Sequence, residues 1–372
     1  MLTFAKKIIK KNKYLFNFLS KIYNYNVLPN FKMLSPKVLM IVITFQCNFR
    51  CQMCDVWRKG ITKEQELKFS DWQKIMKDPI FSSIEVLTIT GGEPFLHPEL
   101  PKLINLYLES MPKLRELSIN TNGFFTKEMV SLVKNLVPIM ERRGITFLVC
   151  VSIDGIEKTH DYLRGFPGAF KKAEETILAL KNLQKNYNFV ILINCVIFHK
   201  NLHEVDKIVK WCDSMGINAR FSPIVFYDGY FSNTDQKNKL DFTEEDKKYL
   251  LKILKKLFSN TPLKNPLSYF YYDMYHLYKN KKNRTAPCRF MVDGFTIDCL
   301  GEVYYCLMIK KIGKISDNSS IGEIYYKPEN LAYRRQAEKP VCRNCNSSPL
   351  CESGIERNFL KFFWFNLVGK RF

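Results

Sequence analysis

Apolar and β-branched residues recur in six short runs between residues 38 and 225. Stretches of helical length, such as 127–142 and 169–185, separate several of the runs. Because the runs are too apolar to have one face in water, they predict buried parallel strands that are covered by helices. The predicted strands are residues 38–44, 85–90, 114–119, 146–152, 189–197 and 219–225.

This alternation predicts an α/β fold in which a partial (β/α)6 barrel of the TIM type has its active site at the carboxyl ends of the strands. The alternation stops near residue 230. Thr243 and Asp246 then resemble a capping box that opens a helix through residue 258. The predicted regions are a basic amphipathic helical region (1–36), the core barrel (37–230), a helical linker (231–286), a small cysteine-rich module (287–352) and an aromatic, basic tail (353–372).

The composition is that of a folded protein, with 46% hydrophobic and 25% charged residues among 372, and no apolar run reaches the length of a membrane span. A net charge of +21 is compatible with an anionic partner. The lysines are scattered along the whole chain, however, so nucleic acid is not the expected partner. The N-terminus lacks the pattern of a secretory signal, which predicts a cytoplasmic protein with reduced cysteines.

Both ends of the chain combine basic and apolar residues. Residues 1–36 have apolar positions at roughly helical spacing with lysines between them, and residues 361–372 are aromatic and basic. One interpretation of the first region is a helix packed on the barrel. The other is peripheral contact of the two ends with a membrane surface.

The main chemical signal is a group of three cysteines, Cys47, Cys51 and Cys54, directly after the first predicted strand. Three thiolates on one short loop can bind three corners of a cubane cluster and leave one iron open to a cofactor or substrate. A structural zinc site normally closes with four ligands. Taken alone, the spacing also allows zinc.

The second predicted strand ends in Gly91, Gly92, Glu93 and Pro94. Paired glycines let the backbone approach a ligand closely, and the Glu93 carboxylate can accept hydrogen bonds from an ammonium group. Taken alone, the glycines would be an ordinary strand terminator. Because carboxyl ends of parallel strands share one edge, these residues should face the three cysteines.

Together, C-x-x-x-C-x-x-C after one strand and Gly-Gly-Glu-Pro after the next resemble the radical S-adenosylmethionine (radical SAM) superfamily. The resemblance extends over about residues 38–230. It implies a [4Fe–4S] cluster on Cys47, Cys51 and Cys54, with S-adenosylmethionine on its open iron. The implied cofactor contacts are Met53, where the family commonly has an aromatic residue, Gly91, Gly92, Glu93, Asn122, Ser152, Asp154 and Arg164; for Asp154 and Arg164, local capping is the alternative.

A second group of cysteines lies near the C-terminus and resembles the auxiliary iron-sulfur module called SPASM or, in its shorter form, twitch. The group comprises Cys288, Cys306, Cys342, Cys345 and Cys351. No cysteine follows Cys351, so five thiols cannot build two fully cysteine-ligated clusters. We expect one auxiliary [4Fe–4S] cluster on the first four, with Cys351 as a spare or exchangeable ligand. A zinc ribbon is the alternative for this module by itself.

The remaining cysteines and histidines have simpler interpretations. Four cysteines lie in or near apolar runs and are predicted to be buried small hydrophobic residues: Cys150, Cys195, Cys212 and Cys299. Three histidines are predicted to be capping or surface residues rather than ligands: His160, His199 and His203.

The resemblance implies a radical SAM enzyme of the oxidoreductase or transferase type. It would cleave S-adenosylmethionine reductively to a 5′-deoxyadenosyl radical, which abstracts hydrogen from an unidentified substrate, either a lipid- or glycan-linked small molecule or a peptide. The auxiliary cluster would take part in electron transfer. A separate protein such as ferredoxin or flavodoxin would serve as the reductant of the enzyme. The competing class is a non-catalytic iron-sulfur or zinc-binding protein for electron transfer or scaffolding.

Overall fold

The computed structural model describes residues 34–263, 265–280, 290–315 and 319–337, together with Tyr23, Cys288, Cys342, Cys345 and Asn346. Nearly all of the basic N-terminal region, the whole aromatic tail and Cys351 lie outside the described residues. The predictions of membrane contact and of a ligand role for Cys351 therefore concern parts that the structure does not describe. Within the described part, no helix is long and apolar enough to span a membrane.

One continuous sheet organises the described part of the chain. Its strands run in the order β6-β5-β4-β3-β2-β1-β7-β8-β9. Strands β1 to β6 pair in parallel with their sequence neighbours, which confirms the six predicted strands and the α/β fold. The strands are β1 Val38–Val42, β2 Val86–Thr90, β3 Glu116–Thr121, β4 Thr146–Ser152, β5 Val190–Ile197, β6 Asn218–Pro223, β7 Gly294–Asp298, β8 Glu302–Tyr304 and β9 Gly313–Lys314.

Helices connect the parallel strands and cover the outside of the sheet. The two crossover helices expected from the pattern are present as α3 and α5, and short 3-10 turns complete several connections. The helices are α1 Phe69–Ile75, α2 Leu100–Ser110, α3 Thr126–Arg142, α4 Lys158–Arg164, α5 Ala169–Leu183, α6 Val205–Met215, α7 Lys237–Leu240, α8 Glu244–Asn260, α9 Pro266–Asn280, α10 Phe290–Asp293, α11 Ile321–Tyr326 and α12 Pro328–Ala337.

The first strand explains why its run is apolar at almost every position. Leu39 and Ile41 are fully buried in the core beneath the helices. Val38 and Met40 point to the other side and line a cavity inside the barrel. Because both faces of the strand are covered, an alternation of apolar and polar residues does not arise.

The capping box predicted for the helix beyond the barrel is confirmed. The Asp246 backbone N–H donates to the Thr243 hydroxyl over 3.1 Å, and the Thr243 N–H donates to the Asp246 carboxylate over 2.8 Å. These two bonds satisfy donors that the first turn of α8 would otherwise leave unpaired. The helix begins at Glu244 as a result.

The C-terminal hairpin joins the barrel sheet, which the sequence pattern did not predict. Strand β7 pairs in parallel with β1 from Val38 and Gly294 to Val42 and Asp298, and β8 and β9 continue antiparallel. All five residues of β7 are buried. The cysteine-rich module is therefore an extension of the barrel sheet through backbone hydrogen bonds.

A buried arginine fastens this extension to the last described helix. Arg334 in α12 is 4% exposed and donates to the Phe290 carbonyl over 2.6 Å and to the Tyr325 hydroxyl over 3.0 Å. Its guanidinium also lies 4.5 Å from the ring centroid of Tyr305. Tyr305 precedes Cys306, and Phe290 follows Cys288 by two residues, so Arg334 links two segments that carry cysteines.

We expect Arg334→Met to lower the free energy of unfolding by about 2–4 kcal/mol, because buried carbonyl and hydroxyl groups lose charged donors. Guanidinium unfolding under anaerobic conditions would measure the change. The matched control is Arg335→Met, since Arg335 is the exposed neighbour in the same helix and its replacement should change stability by about 0.5 kcal/mol or less. Equal losses in the two variants would contradict this role of Arg334.

Candidate active site at the mouth of the barrel

The loop that follows β1 is held by very close backbone packing against the end of β2. The Gly92 N–H donates to the Thr44 carbonyl over 2.8 Å, and the Glu93 N–H donates to the Gln46 carbonyl over 2.8 Å. A Cβ atom placed on Gly92 would lie 2.1 Å from the Gln46 carbonyl oxygen, and one on Gly91 would lie 2.4 Å from that of Thr44. Only glycine allows this approach, so the paired glycines position the cysteine loop.

Glu66 supports the same loop from the other side, and sequence reasoning missed it. Its buried carboxylate accepts hydrogen bonds from the Phe45 N–H at 2.7 Å and from the Thr44 hydroxyl at 2.9 Å. These bonds fix the backbone just before Cys47. A single acidic residue in a polar segment gives no pattern that would have revealed this function.

Two side chains that follow β6 also bond to the loops and were not predicted. The Tyr230 hydroxyl donates to the Gly91 carbonyl over 2.8 Å. The Asn233 amide donates to the Met53 carbonyl over 2.9 Å. The loops after β1, β2 and β6 are thus joined by hydrogen bonds within the described part of the chain.

The three predicted cluster cysteines come together on the wall of one cavity of about 480 Å³. Burial raises the pKa of Cys47 and of Cys54 to about 12. Burial also raises the pKa of Cys51, and the Arg164 guanidinium opposes this rise, with Nη1 at 3.9 Å from the Cys51 sulfur. Iron binds thiolates, so cluster assembly must release the protons that these buried thiols hold.

Asp154 and Arg164, both predicted as cofactor contacts, lie on the same cavity wall and pair with each other. Arg164 Nη2 is 2.5 Å from Asp154 Oδ2, and Asp154 Oδ1 accepts from the Val196 N–H at 2.8 Å. Burial raises the pKa of Asp154, and Arg164 opposes that rise. The buried Nε of Arg164 has no hydrogen-bond partner among the described residues. Arg164 therefore keeps one buried N–H donor without a hydrogen bond in the described part of the chain.

Glu93 is the predicted contact that the structure places differently. Its carboxylate is completely buried and accepts from the Thr121 hydroxyl at 2.8 Å, the Asn122 N–H at 2.7 Å and the Phe95 N–H at 3.2 Å. Burial raises the pKa of Glu93 to about 7, and these donors oppose the rise. Glu93 thus joins the ends of β2 and β3, whereas Gly91 and Gly92 line the cavity. A direct contact between Glu93 and a cofactor stays a prediction.

The other predicted cofactor contacts reach the cavity. Met53, Asn122 and Ser152 all line it. The Asn122 amide donates to Asn48 Oδ1 over 2.7 Å, which ties the end of β3 to the cysteine loop. The register of the sheet places Ser152 opposite Asn194 of β5, so polar side chains from successive strands meet on one wall.

The auxiliary cysteines open onto the same cavity. Cys288, Cys306 and Cys345 line it, and Cys342 is partly buried against the adjoining core. Burial raises the pKa of Cys306 far above its usual value, and the nearby Cys288, Cys345 and Cys342 raise it further. No group of three or more His, Cys, Asp or Glu residues in the described ranges is arranged to hold a single metal ion. In a cluster each thiolate binds a different iron, so its ligands are spaced more widely.

The remaining cysteines and His199 agree with their simpler interpretations. The four other cysteines are buried, and two of them, Cys150 and Cys195, also line the cavity. His160 differs from its prediction, because it is completely buried within α4 and its Nδ1 accepts from the Asp154 N–H at 3.1 Å, in the loop before that helix. His199 lies at the surface, with its Nδ1 2.6 Å from Asp246.

A parallel barrel with three cysteines on its first loop, and a second cysteine group on the same cavity, defines a class of iron-sulfur proteins that hold a cofactor beside an open iron. The comparison with family models identifies the class. The chain belongs to the radical SAM superfamily: the superfamily model matches residues 41–212, and that of the SPASM iron-sulfur cluster-binding domain matches residues 288–346.

Individual relatives match more distantly. The chain is 29% identical over 179 residues to the sporulation killing factor maturation protein SkfB of Bacillus subtilis (strain 168). The matched region covers 47% of this chain and 39% of SkfB. It is 28% identical over 191 residues to the GTP 3′,8-cyclase of Aliarcobacter butzleri (strain RM4018), covering 49% and 54%. The chain thus spans less than two thirds of either relative.

The fold is also similar to a solved structure, native anSMEcpe with bound AdoMet and Cp18Cys peptide. The TM-score is 0.57 and the identity 18%, and the match covers 90% of this chain and 99% of the other. At this identity the similarity establishes the fold alone.

The cofactors follow from this membership: a [4Fe–4S] cluster that binds S-adenosylmethionine, S-adenosylmethionine itself, and an auxiliary iron-sulfur cluster. The described residues fit them. Three cysteines of one loop share the cavity with an arginine whose Nε is unpaired, and a second set of thiols opens onto the same space. The family match favours iron-sulfur clusters over the zinc sites that cysteine spacing alone allowed.

We expect Gly92→Ala to lose the iron of the barrel cluster while the auxiliary module keeps its own, because the new methyl group pushes the Gln46 carbonyl and with it Cys47. Iron and sulfide analysis with electron paramagnetic resonance (EPR) of the reduced protein would show this. Gly322→Ala is the matched control, since its Cβ would meet no atom closer than 3.5 Å. Full barrel-cluster content in Gly92→Ala would disprove the packing argument.

We expect His160 to make the native protein less stable below pH 6.5 than a variant that lacks this imidazole. Burial lowers its pKa well below the usual 6.5, so in acid the unfolded chain binds a proton that the folded chain excludes. Compared with His160→Asn, which keeps an acceptor for the Asp154 N–H, the native protein should lose about 1.4 kcal/mol for each pH unit below 6.5. Unfolding measured from pH 7.5 to 5.5 would detect it, and parallel curves for the two proteins would refute it.

Proposed function

We propose that this chain is a radical SAM enzyme that abstracts a hydrogen atom from a substrate bound between its two cysteine groups. The supporting observation is the shared cavity. Cys47, Cys51 and Cys54 line it on one side, and Cys288, Cys306 and Cys345 line it on another. A protein that only carried electrons would not need a cavity of about 480 Å³ between its metal sites.

Different residues of the barrel mouth bind the cluster and S-adenosylmethionine. Cys47, Cys51 and Cys54 bind the cluster and leave its fourth iron open to S-adenosylmethionine. Arg164, oriented by Asp154 and lying 3.9 Å from the Cys51 sulfur, donates to the cofactor carboxylate. Further contacts with S-adenosylmethionine are made by residues of the loops and strand ends: Met53, Gly91, Gly92, Asn122 and Ser152.

A reduced cluster held by these cysteines would supply the one electron needed to cleave S-adenosylmethionine into methionine and a 5′-deoxyadenosyl radical, and that radical would take the hydrogen atom from the substrate. The chain must keep water from that reaction. Phe49 and Leu307 contribute apolar surface to the cavity wall, and Phe49 stacks on Phe166 at 4.8 Å between ring centroids. These side chains exclude solvent from the space that the substrate occupies.

The auxiliary site serves electron transfer. Cys288, Cys306, Cys342 and Cys345 supply four thiolates, which close the cluster to direct binding of a substrate. A closed cluster beside the cavity is suited to accept an electron from the substrate. A cytoplasmic protein such as ferredoxin or flavodoxin delivers the electron that starts each turnover.

The substrate is a peptide or a lipid- or glycan-linked small molecule. The similarity to SkfB, a maturation protein, supports a peptide. The similarity to a GTP cyclase points to a small nucleotide instead. Because these relatives differ in substrate, the proposed reaction class rests on the cavity and its cysteines.

We expect Cys51→Ala to abolish release of 5′-deoxyadenosine from S-adenosylmethionine under dithionite, because the cluster loses a ligand. Cys212→Ala is the matched control: Cys212 is buried in α6 and does not line the cavity, and this variant should keep the activity. Chromatography of anaerobic reactions measures the product. Release of no 5′-deoxyadenosine by the native protein would instead support the non-catalytic class.

A further inference from the structure

One arginine on the cavity wall has no part in the cofactor site described above. Arg220 lies in β6 and lines the cavity. Its Nε donates to Asn194 Oδ1 over 3.1 Å, and the Asn194 amide donates to Asn120 Oδ1 over 3.1 Å. This chain of two amides crosses from β3 to β6 and orients the guanidinium, because Asn194 accepts the bond from Arg220 and donates the bond to Asn120.

The charge of Arg220 is not balanced by an ion pair within the described residues. The other arginine on this wall, Arg164, is paired with Asp154. No ion pair of this kind involves Arg220 among the described residues. Arg220 is partly buried on the cavity wall, so an anionic ligand in the cavity could replace water at its guanidinium.

The position of Arg220 associates it with the auxiliary side of the cavity. The Asn346 amide donates to the Ile224 carbonyl, just beyond the end of β6, over 3.2 Å. Asn346 follows Cys345, so the wall that carries Arg220 adjoins the auxiliary cysteines. Arg164, by contrast, lies against Cys51.

We propose that Arg220 binds an acidic group, a carboxylate or a phosphate, of the enzyme's substrate. The inference rests on the proposed function, because it assigns the substrate side of the same cavity. A guanidinium presents paired N–H donors that match both kinds of anion in a bidentate arrangement. With Nε held by Asn194, the two terminal nitrogens remain for the ligand. The substrate is therefore anionic at the end that faces β6 and the auxiliary module.

Binding of simple anions to the reconstituted full-length protein tests this directly. Inorganic pyrophosphate and succinate, as phosphate and carboxylate probes, are titrated calorimetrically in saturating S-adenosylmethionine. We expect the native protein to bind at least one probe, Arg220→Met to bind it about tenfold or more weakly, and Arg220→Lys to recover part of the loss. The matched control, Arg142→Met, removes an exposed arginine at the end of α3 and should bind like the native protein.

The probe that binds tells phosphate from carboxylate recognition. Equal binding by Arg220→Met and the native protein, or no binding by the native protein, overturns the proposal. An increase in KM for S-adenosylmethionine as large as the loss of probe binding also overturns it, since Arg220 would then serve the cofactor. Iron content checks that Arg220→Met is folded and loaded. Arg220-dependent binding in a native protein that releases no 5′-deoxyadenosine would refute the proposed function and leave the anion site intact.

Discussion

The geometry of the site depends on the parallel pairing of β1 along both of its edges. On one edge β2 brings Gly92 against the loop that carries the first cysteines, and on the other edge β7 leads into the hairpin that carries Cys306. Backbone hydrogen bonds at every step set these relations, and side chains then fill the space between them. The distance between the two metal-binding regions is consequently fixed by the sheet.

The buried carboxylates near β1 all accept hydrogen bonds from groups at the ends of strands or in the adjoining loops. Glu66 and Glu93 are both buried, and each takes its hydrogen bonds from backbone N–H groups and a threonine hydroxyl at the ends of strands. Asp154 takes one from β5 and pairs with Arg164. Because a buried carboxylate without donors is costly, each of these groups constrains the loop that supplies its donors. The result is a mouth whose loops are held in place by hydrogen bonds within the chain.

The six barrel strands and the cysteine loop could be predicted because their signals are local: apolar runs of strand length and three cysteines within eight residues. The pairing of β7 with β1 could not, since nothing in either segment encodes a partner so distant along the chain. The motif at Gly92 and Glu93 was evident, but the direction of the Glu93 carboxylate depends on Thr121 and Asn122 of the next strand. Arg220 was missed because only the register of β6 decides that it faces the cavity.

The position of β7 gives the C-terminal module a second importance. A sheet edge with free N–H and C=O groups invites pairing with another chain, and β1 would present such an edge if the hairpin were absent. Its alternation offers little protection, since Leu39, Ile41 and their neighbours are apolar on both faces. A chain shortened before residue 288 would thus expose the unpaired apolar edge of β1 beside the cysteine loop. The isolated barrel would therefore self-associate, in addition to losing one metal site.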